Sequence, residues 1–473
     1  MPPQPDRTAG PRPSVLWFRR DLRLRDNPAL NAAAAGGAGV LPLFVLDPAL
    51  WGPAGPVRRA YLLRSLHALA DTIGVPLHLR VGDPVREVRE VAAELGATEV
   101  HCAADFGPYG SRRDGSVERA LAADGRALLR TGSPYAVSPG RVRKSDGTPY
   151  RVYAPFFRAW AEQGWRAPAP APREEVGWLQ ASGRDGDRWP DEPDLAGLCL
   201  PEVGEPAAQE RWEAFTRDGL AGYGDERNRP DHAGTSGLSA ALRWGEIHPR
   251  TLLAELAAPG RDRGGQERFR KELAWREFYA DVLHHSPTSA RTYLREELAG
   301  MQFDHGPLAD ERFAAWSTGR TGYPFVDAGM RQLLAEGWVH NRLRMVVASF
   351  LVKDLHLEWT QGARWFMRWL RDGDLASNQH GWQWVAGTGT DAAPYHRVFN
   401  PVLQGRTFDP DGDYVRRYVP ELREVPGIAV HEPWLLPGGP PPGYLARVVD
   451  HHAERAVALQ RYARATAKEP RET

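Results

Sequence analysis

The spacing of apolar residues changes once along this chain, and that change limits what it can fold into. From 14 to about 135, short apolar runs (SVLWF at 14–18, VLPLFVLD at 40–47, VPLHLRVGD at 75–83, TEVHCAAD at 98–105) alternate with helical patterns at 27–35, 58–73, 85–95 and 115–124. Alternation of this kind predicts an α/β, Rossmann-like domain (14–135) built on a mainly parallel sheet. From 210 onward the apolar positions recur every three or four residues and strand signals are almost absent, as in RFRKELAWREFYADVLHH and ARWFMRWLRDGD. That half, 210–473, predicts an all-α domain. Between them, 136–209 turns rich in Pro, Gly and acids (APAPAPREEVG, RDGDRWPDEPD) and is expected to be an interdomain linker crossing a surface. Residues 1–13 read as a disordered leader with no apolar signal region.

A length of 473 residues fits two domains better than one core. The longest apolar run in the helical half, VVASFLV, is too short to span a bilayer, so no membrane partner is expected. Two cysteines cannot build a disulfide framework, fit a reducing cytoplasm, and offer no metal site. Net charge is zero, so a nucleic-acid surface would have to be a local patch. The cations are nearly all Arg, which suits phosphate clamps and equally follows from GC-rich coding. Seventeen Trp is the one anomaly, and it suggests aromatic-lined cavities as well as packing. No Gly-x-Gly-x-x-Gly follows the first strand, which argues against a nicotinamide dinucleotide there.

Four stretches carry polar chemistry. In AGTSGLSAALRWG, the hydroxyls of Thr235, Ser236 and Ser239 around Gly237 precede a helical run, as at a phosphate-binding helix start or an ordinary N-cap. In KELAWREFYADVL, Glu272, Trp275, Arg276 and Tyr279 share one helical stripe, either lining a site or forming an amphipathic outer face. In GWVHNRLRMVVASF, Asn341, Arg344, Met345 and Ala348 share another, with a surface Arg stripe as the alternative. In DGDLASNQHGWQWVAGTGTDAAPY, Asp372 is placed to pair with a guanidinium and Asp374 to accept from a ring imide. Helical spacing sets Trp382 and Trp384 about 200° apart.

Together with WFRRDLRLRDNPAL at 17–30, TGYPFVDAGMRQL at 321–333 and HNRLRM at 340–345, these stretches resemble the photolyase/cryptochrome family over roughly 14–465, and within it a class I cyclobutane pyrimidine dimer photolyase. The resemblance implies an α/β antenna domain, a helical FAD-binding domain, and light-driven repair of pyrimidine dimers in DNA by electron transfer from reduced FAD. Tyr223, Thr235, Ser236, Gly237, Leu238 and Ser239 would then clamp FAD, with Asp372 and Asp374 at the isoalloxazine and ribose, Arg344 pairing Asp372, and Asn378 facing flavin N5. Asn at that position points to repair, since plant-type cryptochromes usually have Asp there and animal ones Cys. Glu272, Trp275, Asn341, Met345 and Trp384 would wall the lesion pocket, with Arg227 near the DNA backbone. Asn341 argues against a (6-4) photolyase, which usually carries a second His there.

Trp382 and Trp359 match the inner two links of the family's tryptophan chain to the flavin. The outermost is missing: Gly306 stands at its spacing, so either Phe303, Trp365, Trp369 or a nearby Tyr takes over or photoreduction is slow. CAADFGPYGSRRDG at 102–115 resembles the loop of members that bind 8-hydroxy-5-deazaflavin rather than methenyltetrahydrofolate, with Asp105 and Arg243 at the ligand-contacting positions. The expected partner is dimer-containing DNA and the expected state a cytoplasmic monomer. A cryptochrome photoreceptor and a DASH-type enzyme preferring single-stranded DNA are the competing readings, and the short stretch after the last helix speaks against the first.

Overall fold

The computed structural model describes residues 12–172, 175–180, 188–258, 263–390 and 397–466. Most of the expected leader and the DAAPY portion of the last motif lie outside these. Five parallel strands form one sheet: β1 (Ser14–Phe18), β2 (Val40–Leu46), β3 (His78–Val81), β4 (Glu99–Cys102) and β5 (Ala127–Arg130), in the order β3-β2-β1-β4-β5. β1 and β2 are buried along their whole length, as continuous apolar runs in a doubly wound sheet require. The crossover helices Pro28–Ala34, Pro56–Ile73, Pro84–Glu94 and Pro108–Ala123 each begin with Pro, whose missing N–H is no loss at that position. Asn27 and Asp83 cap two of them through Leu30 N and Val85 N.

Two local expectations need correction. β5 has no counterpart in the sequence reading, because an edge strand of four residues with half its side chains exposed carries too little apolar pattern. The fourth helix starts at Pro108 rather than at 115, so the PYGSRRD stretch is helical. Gly110 dilutes the helical signal there, and a Cβ on it would meet the Asp105 carboxyl at 2.2 Å.

No strand is found among the described residues of 210–466, which form helices and short turns. The helix Arg263–His285 runs through this half. Segment 136–209 does more than cross a surface. Its helix Tyr153–Gln163 buries Tyr153, Phe156 and Trp160 in the same apolar cluster as Phe269, Leu273 and Phe278 of the long helix. Farther on, Trp178 pairs by a backbone bridge with Val40 at the start of β2, and Trp189 stacks on His67 at 4.2 Å.

The two halves are locked by backbone-level contact. Leu22 N donates to Trp244 O at 3.2 Å and the Arg23 guanidinium to Gly245 O at 3.0 Å. Glu205 accepts from Leu24 N and Arg25 N, and Glu246 accepts from Tyr61 and Ser65 across the same seam. Gly245 ends the helix Ser239–Trp244 at φ 73°, and a Cβ there would lie 2.0 Å from Arg20 O. No L side chain satisfies both the left-handed backbone and that approach. Gly245→Ala should therefore destabilise the protein by about 1–3 kcal/mol, read as a lower thermal midpoint with the first loss of structure at the domain seam.

Candidate functional site: a cavity shared by acids and aromatics

A cavity of about 520 Å³ opens in the helical half, within the size range of cofactor sites. Its lining brings together nearly every expected site residue. Tyr223 and Thr235–Ser239 stand on one side, Arg344, Asp372, Asp374 and Asn378 on another, and Arg227, Glu272, Trp275, Asn341, Met345 and Trp384 around the rest, with Trp382 also touching it. Trp359 is wholly buried in the core behind, and Asp105 is not part of the lining.

Asp372 is one of two described lining residues whose bonding is incomplete, Arg243 being the other. Its Oδ2 accepts from Arg344 at 2.7 Å, while its Oδ1 is buried with no partner. Burial opposes its ionisation, but Arg344 outweighs burial, with a smaller contribution from the Ser239 hydroxyl, which stands close by without completing a hydrogen bond, and the carboxyl is held below the usual range. A buried, ionised oxygen left unsatisfied is costly and is expected to meet a donor from a ligand. The cavity has room for one: beyond its own chain neighbours and helix backbone, a Cβ on Gly381, also in the lining, would meet no protein atom within 4 Å.

Asp374, expected as an imide acceptor, also has partners within the protein. It caps the helix Leu375–Ala386 by accepting from Ser377 N at 3.0 Å, and its other oxygen pairs with Arg20 of the α/β domain at 2.6 Å. Burial works against its charge, yet Arg20, Arg243 and Arg276 drive its carboxyl well below the usual range. Asn378, one turn into that helix, spends both amide hydrogens on Ala363 O (3.1 Å) and Gln379 Oε1 (2.8 Å). Its carbonyl oxygen is left as the group available to the cavity.

The Thr235–Leu238 segment presents its groups from a loop, since the helix that follows has only six residues. On the long helix, Glu272, Trp275, Arg276 and Tyr279 are all half-buried on one stripe while Leu273, Ala274 and Phe278 are buried behind. Glu272 is ion-paired with Arg227. Burial raises its carboxyl and Arg227 pulls the other way, for a net upward displacement. Trp382 is buried edge-on to Phe366 (5.0 Å) and Trp316 (6.0 Å), whereas Trp384 is only half-buried, as their spacing implied.

Arg243 lines the main cavity, with its Nε on Gly373 O at 3.0 Å and one terminal nitrogen buried and unpartnered. Asp105 instead sits in the α/β domain, pairing with Arg113 at 3.4 Å and accepting from Gly107 N at 3.1 Å. The two expected antenna residues thus have different contacts, although the Asp105 charge acts directly on the Arg243 guanidinium and on Arg20 beside it.

Sequence reasoning missed three contributors. Tyr153 stacks on Trp275 at 3.6 Å and 7°. Its signal was available, because Tyr153, Phe156 and Trp160 recur at helical spacing in YAPFFRAW. Arg20 had no signal, its partner lying 354 residues away. His380, wholly buried between Tyr279 and Ser289, is the third.

Burial holds the His380 imidazole down to about 4, from an ordinary 6.5, with Asp374 pulling the other way. The folded protein keeps it neutral, so its stabilising share is complete above 6.5. That share shrinks as pH falls toward 4, where the unfolded chain takes up a proton that the folded one refuses. His380→Gln should weaken the drop in melting temperature between pH 7 and pH 5 relative to the unsubstituted protein.

Comparison with known proteins agrees with this geometry. Residues 14–173 match the family model described as DNA photolyase, and residues 269–464 match that of the FAD binding domain of DNA photolyase. A Streptomyces griseus deoxyribodipyrimidine photo-lyase is 42% identical over 90% of this chain and 93% of its own length. A class III photolyase from Agrobacterium tumefaciens superposes with TM-score 0.89 at 36% identity, covering 97% of this chain and 98% of its own. An archaeal photolyase from Sulfolobus tokodaii, solved with two FAD molecules, superposes with TM-score 0.82 at 26% identity over 95% of this chain and 99% of its own. With two matching domain models and relatives spanning nearly its whole length, the chain belongs to the DNA photolyase family.

Proposed function

We propose that this protein is a deoxyribodipyrimidine photo-lyase of the class I type, repairing cyclobutane pyrimidine dimers in DNA with reduced FAD under light. The observation that carries this is the shared cavity: the unsatisfied Asp372 oxygen and the Glu272–Trp275–Asn341–Met345–Trp384 wall face one space, so a cofactor and a lesion would touch. Reduced FAD bound there supplies an excited electron to the dimer and recovers it after the ring opens, with no net redox change.

The residues of the chain do the placing. Tyr223 and the Thr235–Ser239 loop hold the cofactor through hydroxyls and amides, and Asp372, fixed by Arg344, accepts from its ring. With both amide hydrogens bonded inside the protein, Asn378 offers an acceptor, which favours a protonated ring nitrogen and hence the reduced state. Photolyases, like glycosylases, work on bases taken out of the stack at a cost of roughly a few kcal/mol. Trp275 and Trp384 offset that cost by gripping the flipped pair, while Asn341 and Glu272 hydrogen-bond its polar edge. Arg227 serves the DNA backbone. When it turns to a phosphate, Glu272 loses its cation, its carboxyl rises further, and it becomes a hydrogen-bond donor to the charge developing on the dimer.

A second chromophore is proposed near Asp105. Its loop follows β4 beside β1, where the strand order reverses and α/β sheets bind ligands. Resemblance of DFGPYGSRRD to deazaflavin-binding loops favours 8-hydroxy-5-deazaflavin over methenyltetrahydrofolate, and the longer-wavelength absorption of the former distinguishes them. In the described residues no helix is long and apolar enough to cross a membrane.

Light-dependent repair of a defined thymine dimer in duplex and in single-stranded DNA, with a (6-4) product as control, tests the reading. Loss of the dimer in both DNA forms with the (6-4) product untouched is expected, and no repair would overturn it. Gly381→Leu should prevent FAD binding while leaving the fold intact by circular dichroism. Glu272→Ala should lower repair yield with FAD still bound, Glu272→Gln restoring part of it. Arg227→Ala should reduce the salt dependence of DNA binding by about one phosphate contact.

A further inference from the structure

Photolyases need their flavin reduced, and on the flavoprotein reading above this chain has an inner electron path with no tryptophan at its usual outer end. The inner links are well built. Trp382 rests on Gly362, where a Cβ would meet its ring at 2.1 Å, and Gly362 lies one helical turn beyond Trp359. Trp359 is fully buried, and its indole N–H has no partner. A cation on Trp359 therefore has no neighbour to take its proton and stays oxidising until an electron arrives.

Next to it stands Tyr293, edge-on at 6.3 Å between ring centroids. The Tyr293 hydroxyl donates to Glu358 Oε1 at 3.3 Å, while Thr360 holds the other carboxylate oxygen at 2.9 Å. Glu358 is the residue immediately before Trp359, so donor ring, acceptor ring and proton acceptor are fixed by one helix start. Tyr293 is half-buried, packed on the core cluster that holds Trp359 and next to exposed Thr292, so part of it is open to small molecules from solvent. Burial and Glu358 both raise the phenol, so it is protonated at rest and can lose an electron cheaply only if its proton leaves too.

Other candidates are weaker. Phe303 packs against the core but has a phenyl ring, which a tryptophan cation does not oxidise. Trp365 and Trp369 lie 5.9 Å apart, yet the ring contacts from Trp382 toward them run through Trp316 and then Phe313, again a phenyl.

We propose that Tyr293 is the terminal electron donor for flavin reduction in this protein, with Glu358 as its proton acceptor. One electron passes from Trp382 toward the bound flavin, Trp359 refills Trp382, and Tyr293 refills Trp359. In that last step the phenolic proton moves to Glu358, so a neutral phenoxyl remains and no charge is stranded in the core. A small thiol from solvent then returns a hydrogen atom to the phenoxyl, becoming a thiyl radical that ends as disulfide, and Glu358 releases its proton to water.

The test uses the holoenzyme with oxidised FAD, illuminated with dithiothreitol present, and reads radical identity by transient absorption and electron paramagnetic resonance alongside flavin bleaching. The unsubstituted protein should give a tyrosyl signal whose rise slows in D₂O. Tyr293→Phe should abolish that signal and lower the bleaching yield several-fold, and Glu358→Gln should prolong the tryptophan radical and remove the D₂O effect. A persistent tyrosyl signal in Tyr293→Phe, or unchanged bleaching there with loss in Trp365→Phe, would overturn the assignment in favour of the Trp316 route. Failure of the protein to bind FAD at all would instead strike the functional reading on which the assignment rests.

Discussion

Asp374 joins the two halves of this molecule at the point where chemistry is to happen. One oxygen starts the helix that carries Asn378, Trp382 and Trp384, and the other meets Arg20 from the loop after β1. Losing that carboxylate would remove one tie across the domain seam and fray the first turn of the helix holding the cavity's main residues at once. Its burial makes the arrangement all-or-none, because an ion pair out of water holds only while both partners are in place. The surrounding Arg243 and Arg276 deepen the same well, each also bonding a backbone carbonyl, Gly373 O for one and Pro134 O with Leu242 O for the other.

Around that anchor the cavity is divided by chemistry. Its buried end offers an ionised Asp372 oxygen and an Asn378 carbonyl, both acceptors, and suits a ring presenting N–H groups. The more open end offers indole faces, a thioether and an amide, and suits two flat bases with polar edges. Glu272 stands between these roles. Paired with Arg227 it is a held anion, and without that partner it tends toward a neutral acid. An anion competing for Arg227 would thus change the protonation chemistry of the pocket without touching Glu272.

Much of this was legible in the sequence because the information is local. The change of apolar period marked the two domains, the i, i+3, i+4, i+7 stripe put Glu272 and Trp275 on one face, and the two-residue spacing of Trp382 and Trp384 set them apart. Long motifs carried the family. What could not be read is pairwise and distant: that Arg20 would meet Asp374, that Arg227 would close on Glu272, or that Asp374 would spend both oxygens inside the protein. β5 escaped because four half-exposed residues hold little pattern, and the helix at Pro108 because Gly110 weakens it. Arg243 was matched by motif position to an antenna site, and its place in the lining of the Asp372 cavity could not be read from that motif.

The stack of Tyr153 on Trp275 has a consequence for recognition. A lone indole at the wall of a pocket samples several rotamers, and a ligand must halt that motion on arrival. Here a phenol ring 3.6 Å away, itself tethered through its hydroxyl to Lys271 O, has already done so when the chain folded. The entropy is lost before any base arrives, and the stack itself contributes about 0.5–1.5 kcal/mol. On the proposed reading, segment 136–209 would thereby act on how long a flipped base pair stays bound, although none of its residues lines the cavity it steadies.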